Sequence, residues 1–294
     1  MIDAAAMMNV IIPATMFTLM FGMGLTLTGI DFKRILLFPR AAMVGLAVQL
    51  ILSPAIGFAL AYTFELPLMM AVGLVAVAAC PGGSISNAIV HLGKGDTALS
   101  VTLTATATLV TLITLPIWIN FSLSFFGGGE TSIQMPILKT AAQLGLFTVL
   151  PIGLGMLARK VRPRWLAKEP VITKGSMFAM LSGVLLMAFL DEKDILSHAG
   201  QMVLPTLLFI LIVVVLGFVI PRVSGVNSKS SITITMEVCL KNILLALFVA
   251  TNSLKDLDAA LASAVAIVAI VPVAVMVMVL YNLVNKYQGQ LKTS

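Results

Sequence analysis

The chain alternates long apolar runs with short polar connections, and the runs fall in stretches of about 20 residues. A helix of that length spans the roughly 30 Å hydrocarbon core of a bilayer. The runs lack the period-two alternation of outer-membrane barrel strands. Nine spans are predicted, at about 7–30, 41–63, 67–92, 97–125, 134–158, 173–190, 201–221, 230–252 and 259–284. The fold class is all-α polytopic membrane protein, one transmembrane domain over residues 1–294.

Composition sharpens this. Of 294 residues, 60% are apolar and 10% charged, against roughly 45–50% and about 25% for a soluble domain. The net charge of +6 does not point to nucleic acid, because the basic residues sit between spans, where topology signals belong. With the N-terminus outside, fourteen Lys and Arg fall in cytoplasmic connections and three, Lys139, Lys193 and Lys255, on the other side. That bias predicts a multi-pass protein of the cell inner membrane, N-terminus out and C-terminus in the cytoplasm. Cys80 and Cys239 both lie inside apolar runs and suggest small apolar side chains, not a disulfide or metal site. The opening MIDAAAMMNV has no basic n-region or peptidase pattern, so no cleaved signal is expected. No soluble protein partner is indicated; the lipid bilayer is the expected surrounding.

Two spans are not plain anchors. The third contains Pro81, Gly82 and Gly83, followed by Ser84, Ser86 and Asn87. A missing donor and two poor helix formers predict a break near mid-membrane. Irregular backbone is tolerated there only when buried in protein or lining a cavity, although a kink that eases packing is the alternative. The eighth span carries Glu237, Lys241 and Asn242. An ionised residue at a helix centre costs about 2.5–3.5 kcal/mol on insertion scales. Glu237 and Lys241 are four apart with the acid first, so a regular helix would pair them, and a packing pair is one reading. Ser100 and Thr104, also four apart, face one direction, while the other hydroxyls of span four suit small-residue packing. Gln49, in an apolar run, should face the bundle interior. Lys94 and Asp96 flank a cytoplasmic loop and read as solvated.

A weak internal echo accompanies these spans. Ser86-Asn87, an acidic loop and a small-residue span recur as Lys241-Asn242, an acidic loop and AALASAVAIVAIV. Interrupted helices at matching positions of inverted halves mark the site of a secondary transporter.

The segments MFGMGLTL (20–27), CPGGSISNAIVHLGKGDTALS (80–100) and Glu237-Val238-x-x-Lys241-Asn242 resemble the bile acid:sodium symporter family, particularly its bacterial members. The resemblance covers almost the whole chain. Bacterial members commonly have ten helices, and this chain begins at what resembles the second, giving a nine-helix form. The resemblance implies an inverted-repeat secondary transporter with a panel domain (about 7–63 and 134–190), a core domain (about 67–125 and 201–284) and two discontinuous helices crossing at mid-membrane. It assigns a first sodium site to Ser86, Asn87, Ser100, Thr104 and Glu237, and substrate contacts to Ser84 and Asn242. A second sodium site would use Gln49, Glu237, the carbonyls near Val238 and Leu240, and a glutamine that is Lys241 here.

The implied function is sodium-coupled symport of a small organic anion by alternating access, and the chain is not expected to be an enzyme. The anion would be a carboxylate, bile-acid-like or a 2-hydroxy or 2-oxo acid such as pantoate. An ammonium in a cation site repels a second cation, so Lys241 would stand in for the second sodium and leave one per cycle. A deprotonated lysine would instead allow sodium-independent or proton-coupled transport. Two rival classes are a passive channel and a membrane hydrolase pairing Ser84 or Ser86 with Lys241.

Overall fold

The computed structural model describes residues 4–33, 39–128, 135–190, 192–254 and 279, and all regular structure among them is helical. Helix α1 (Ala4–Thr26) and the short α2 (Gly29–Lys33) precede a continuous second span, α3 (Pro39–Ala47), a π-helical turn (Val48–Leu52) and α4 (Ser53–Thr63). The third span is interrupted: α5 (Leu68–Ala79) and α6 (Ser84–Leu92). Next come α7 (Thr97–Phe126), a pair α8 (Ile137–Phe147) and α9 (Val149–Val161), and a 3-10 turn (Pro163–Lys168) leading into α10 (Glu169–Leu190). Helix α11 (Glu192–Val223) precedes a second interrupted span, α12 (Ser228–Cys239) and α13 (Ile243–Phe248), which ends in a π turn (Val249–Leu254). The predicted span 259–284 lies almost wholly outside the described residues.

Four continuous stretches among the described residues are long and apolar enough to cross a bilayer: Pro39–Thr63, Thr97–Phe126, Ile137–Val161 and Gly200–Val223. Helices α10 and α11 begin earlier than hydropathy alone suggests, because charged residues at a span's end interrupt an apolar run without interrupting a helix. On α7 the exposed residues Leu109, Ile113, Ile117, Phe121 and Phe125 recur every four positions. The opposite face buries Ser100, Thr104, Ala107, Thr111 and Leu115. One face suits lipid and the other carries hydroxyls inward, the arrangement a membrane bundle needs.

Two packing groups emerge. Helix α1 lies against α8, α9 and α10, and the second span lies against α5, α7, α11 and α12. The α1–α9 crossing is a backbone contact. A Cβ at Gly24 would overlap the Ile152 carbonyl, and one at Gly155 would overlap that of Phe21. The groups are joined where α7 packs on α8, where α1 touches α13, and where the Phe147 and Phe248 rings pack at 4.9 Å between centroids.

The second span carries its own irregularity. Pro54 has no amide hydrogen, so the carbonyl four residues back, on Leu50, lacks its helical donor. Trp118 on α7 fills that vacancy: its Nε1 donates to the Leu50 oxygen at 3.1 Å. The Ser53 amide reaches back five residues to the Val48 carbonyl, which sets the π turn. Trp118→Phe should therefore strand a partly buried carbonyl and lower stability by about 1 kcal/mol. Adding Pro54→Ala restores an in-helix donor, so the same tryptophan change should then cost less than half as much. Thermal unfolding in detergent, followed by circular dichroism, measures both arms.

Candidate functional site at the helix crossing

The two interruptions meet. After α5, Cys80 turns extended (ψ 149°) and Gly83 stays extended (φ −121°, ψ 177°) before α6 begins at Ser84. After α12, Leu240 and Asn242 leave helical geometry with ψ 75° and 82°. The Asn242 amide donates to the Pro81 carbonyl at 2.7 Å, and Gly82 and Lys241 form an antiparallel bridge. Backbone groups freed by each break are thus partly satisfied by the other. The Asn242 side-chain oxygen caps α13 by accepting from the Leu245 amide at 3.3 Å.

Beside the bridge lies Glu237, fully buried on the last turn of α12. Its Oε1 accepts from Ser86 Oγ at 2.7 Å and from Ser100 Oγ, and its Oε2 accepts from Thr104 Oγ1 at 2.7 Å. Asn87 Oδ1 lies 2.7 Å from Ser100 Oγ and 3.3 Å from Thr104 Oγ1. The structure therefore brings Ser86, Asn87, Ser100, Thr104 and Glu237 into one cluster drawn from α6, α7 and α12.

The proton inventory of this cluster is short. Ser86 Oγ sits within bonding distance of both the Gly83 carbonyl (2.6 Å) and Glu237. Ser100 Oγ faces both Asn87 and Glu237. Thr104 Oγ1 faces the Ser100 carbonyl at 3.0 Å, Asn87 and Glu237. A hydroxyl has one hydrogen to donate. Each of the three therefore faces more acceptors than its one hydrogen can serve, although the Gly83 carbonyl also accepts from the Ser86 amide at 3.0 Å. Lone pairs that converge in excess of the available hydrogens suit a hard cation, which takes oxygen ligands and needs a formal negative charge nearby. No group of three or more His, Cys, Asp or Glu able to hold a metal occurs among the described residues. The cluster's hydroxyl and amide oxygens thus differ from a transition-metal set.

Two predicted site residues stand apart. Gln49 is fully buried in the π turn, and neither side-chain polar atom has a partner. It lies four residues from Gly45, which faces Leu103 and Ile234, and four from Ser53, whose hydroxyl donates to the Ala78 carbonyl at 2.8 Å. That places Gln49 on the side turned toward the crossing. Lys241 is 5% exposed and its Nζ likewise has no partner. The ion pair expected between Glu237 and Lys241 is absent. Their spacing of four would align them only in a continuous helix, and α12 ends at Cys239, between them. For the same reason no serine–lysine dyad forms among the described side chains: Ser86 turns to Glu237, and Lys241 reaches no hydroxyl. Val238 and Leu240 flank the end of α12, where carbonyls lose their in-helix donors. Ser84 opens α6 at the crossing.

Sequence reading missed two roles. Asp96 is not simply solvated: its Oδ1 caps α7 by accepting from the Leu99 amide at 3.1 Å, and its own amide donates to Thr233 Oγ1 on α12 at 2.8 Å. An Asp one residue before a helix was the available signal. Gly82 does more than break a helix. A Cβ there would overlap the Glu237 carboxylate and sit 3.1 Å from its backbone oxygen, whereas one at Gly83 would meet nothing nearer than 3.7 Å. Gly82→Ala should displace the carboxylate and cost about 1–3 kcal/mol in thermal stability. Gly83→Ala should cost clearly less, since its extended backbone admits any residue.

Comparison with known proteins fits this arrangement. A profile described as "Sodium Bile acid symporter family" matches residues 13–198. The chain is 31% identical over 259 residues to the probable sodium/metabolite cotransporter BASS2, chloroplastic, of Oryza sativa subsp. japonica, covering 85% of this chain and 58% of that one. It is 30% identical over 247 residues to the uncharacterized sodium-dependent transporter YocS of Bacillus subtilis (strain 168), covering 82% of this chain and 74% of that one. Over 182 residues it is 29% identical to sodium/bile acid cotransporter 4 of Homo sapiens, covering 59% of this chain and 39% of that one. The chain thus spans somewhat over half the length of the rice protein and a smaller share of the human one. These relatives are named as transporters and cotransporters, not as enzymes. On the profile match and the shared length, this chain belongs to the sodium bile acid symporter family.

Proposed function

We propose that the protein is a sodium-coupled symporter of a small organic carboxylate, embedded in the inner membrane with its N-terminus outside and its C-terminus in the cytoplasm. The observation that carries this reading is the proton-poor oxygen cluster around Glu237 at the helix crossing. Ser86, Asn87, Ser100, Thr104 and Glu237 would hold sodium, which supplies the positive charge that the converging lone pairs lack. The carboxylate would meet Ser84 and the amide nitrogen of Asn242, because the Asn242 oxygen is already taken by its cap. The ends of α6 and α13 direct amide hydrogens and positive dipole ends to the same crossing, which favours an anion.

Alternating access needs two bodies, and the packing supports a panel of α1 and α8–α10 moving against the remaining helices. The contacts of the second span favour grouping it with the core, not with the panel expected from sequence. Matching interruptions in α5–α6 and α12–α13 support an inverted repeat. Sodium binding joins α6, α7 and α12, and so favours the state in which the anion site is complete. Coupling requires that difference in affinity between states.

Lys241 is proposed to replace a second sodium beside Gln49 and the carbonyls near Val238 and Leu240. Two unit cations 4 Å apart repel by about 4 kcal/mol at an effective dielectric of 20, roughly a thousandfold in affinity. One sodium then accompanies each monovalent carboxylate. Uptake into proteoliposomes with a panel of small carboxylates tests the reading: accumulation should require a sodium gradient, and sodium-independent equilibration would refute it. Glu237→Gln removes the cluster's formal charge, and it should raise the sodium concentration needed for half-maximal uptake by two to three orders of magnitude on the same arithmetic.

Lys241→Gln gives a separate outcome. Sodium dependence should steepen from a Hill coefficient near one toward two, and uptake should become sensitive to an imposed membrane potential. Unchanged steepness would remove the surrogate role while leaving sodium coupling intact.

A further inference from the structure

We propose that the hairpin joining α9 to α10 is a binding site for the headgroup of an anionic phospholipid. The proposal rests on the membrane assignment but not on sodium coupling. Residues 159–174 carry six basic side chains, Arg159, Lys160, Arg162, Arg164, Lys168 and Lys174, and one acid, Glu169. Glu169 is already engaged, accepting from Thr173 Oγ1 at 2.7 Å. Arg159 is engaged as well: its guanidinium donates to the Thr26 carbonyl at 2.6 Å and fastens the hairpin to the end of α1.

Three of the remaining charges surround a concavity. Arg162, Pro163, Arg164, Trp165 and Lys168 line a hollow of about 540 Å³. Arg162, Arg164 and Lys168 are exposed, and no carboxylate of the described residues pairs with them. Trp165 forms one wall, half-buried against Phe21 with ring centroids 6.0 Å apart, and Lys168 lies 4.8 Å from its ring. Such a group of donors around an open hollow matches a phosphate oxyanion, which Arg binds through two parallel hydrogen bonds.

A second hollow, of about 560 Å³, adjoins the first through Pro163. Leu27, Met156 and Leu157 supply much of its wall. Arg159 and Lys160 line it as well, so basic heads and apolar surface share the two adjoining hollows, which fits an amphiphile better than a free phosphate. The flanking Val161, Leu166 and Val171 are 68%, 40% and 74% exposed, as residues facing acyl chains would be. Juxtamembrane clusters of four to eight Lys and Arg attract anionic lipid, and basic pockets between helices hold its headgroups. Both hollows lie within the α1–α9–α10 group, away from the Glu237 cluster, so the transported anion is not their natural occupant.

Trp165 makes the site directly readable. The full chain is reconstituted in phosphatidylcholine vesicles containing a small fraction of brominated phosphatidylglycerol or, in parallel, brominated phosphatidylcholine. Selective quenching of tryptophan fluorescence by the anionic lipid is expected, and Trp165→Phe should abolish the selectivity, leaving Trp118 as the remaining tryptophan. Replacing Arg162, Arg164 and Lys168 together by Gln should weaken the preference roughly a hundredfold, at about a factor of five per charge. Lys139→Gln, on the opposite side, should not change it. Equal quenching by the two lipids in the parent protein would overturn the proposal. So would relief of quenching by millimolar inorganic phosphate at constant ionic strength, because the hollow would then be an oxyanion site without lipid preference. Neither result depends on sodium-driven uptake, which is assayed separately.

Discussion

A carboxylate buried inside a membrane bundle must be compensated or it will not stay there, and the middle of this structure is arranged around that requirement. An isolated ionised group in a low-dielectric interior costs several kcal/mol even after relaxation. Three hydroxyls from two other helices converge on Glu237, and Gly82 leaves the carboxylate room that any side chain would take. The interruption of α5–α6 is what brings Gly82 and Ser86 close enough. The interruption of α12–α13 in turn gives the Pro81 carbonyl a donor, the Asn242 amide. Neither break is tolerable alone at that depth; each supplies polar groups that the other needs.

The second span shows the same economy at a smaller scale. Pro54 disturbs a helix, a π turn absorbs the extra residue, and Trp118 serves the orphaned carbonyl. The turn also carries Gln49, whose amide is buried without a partner. Single-turn π bulges often occur at functional positions, and here the bulge sits on the side of its helix that faces the crossing. A long helix pinned to α7 by the tryptophan while its polar residue turns inward forms a rigid backing for the crossing. The joints between the two packing groups are sparser than the contacts within them: α7 against α8, α1 against α13 and the Phe147–Phe248 ring pair.

Much of this was legible in the sequence, for unequal reasons. The break at Pro81 announces itself, because proline and paired glycines lack the donor and the propensity to continue a helix. Glu237 was equally visible as an acid within an apolar run. The break at Leu240 has no such signal: SITITMEVCLKNILLALF contains neither proline nor glycine. Only the weak internal echo and the family resemblance suggested it, and the local rule gave a pairing of Glu237 with Lys241 that the structure does not contain. The rule assumes a regular helix, and tertiary contacts with the opposing break end the helix between the two residues. Gly82 illustrates a different loss. Its sequence context explains a break, but its contact with Glu237 lies 155 positions away along the chain, beyond any local pattern.

The unpaired Lys241 is best understood through the charge the crossing holds at each stage of the proposed cycle. With Glu237 ionised and Lys241 protonated, the empty crossing is neutral overall, although the two groups do not touch. Sodium alone makes it positive by one, and a monovalent carboxylate alone makes it negative by one. Together they return it to zero. Burying a net charge is costly, so a rearrangement that closes the crossing from water is easier for the empty and the fully loaded carrier than for either half-loaded form. A glutamine in place of Lys241 would shift this balance by one unit, and the empty crossing would carry the uncompensated charge of Glu237 through the return step. On the proposed cycle, obligatory coupling would need no gate that recognises both solutes. In the proposed cycle it would follow from a fixed ammonium close enough to balance the carboxylate and too far away to bind it.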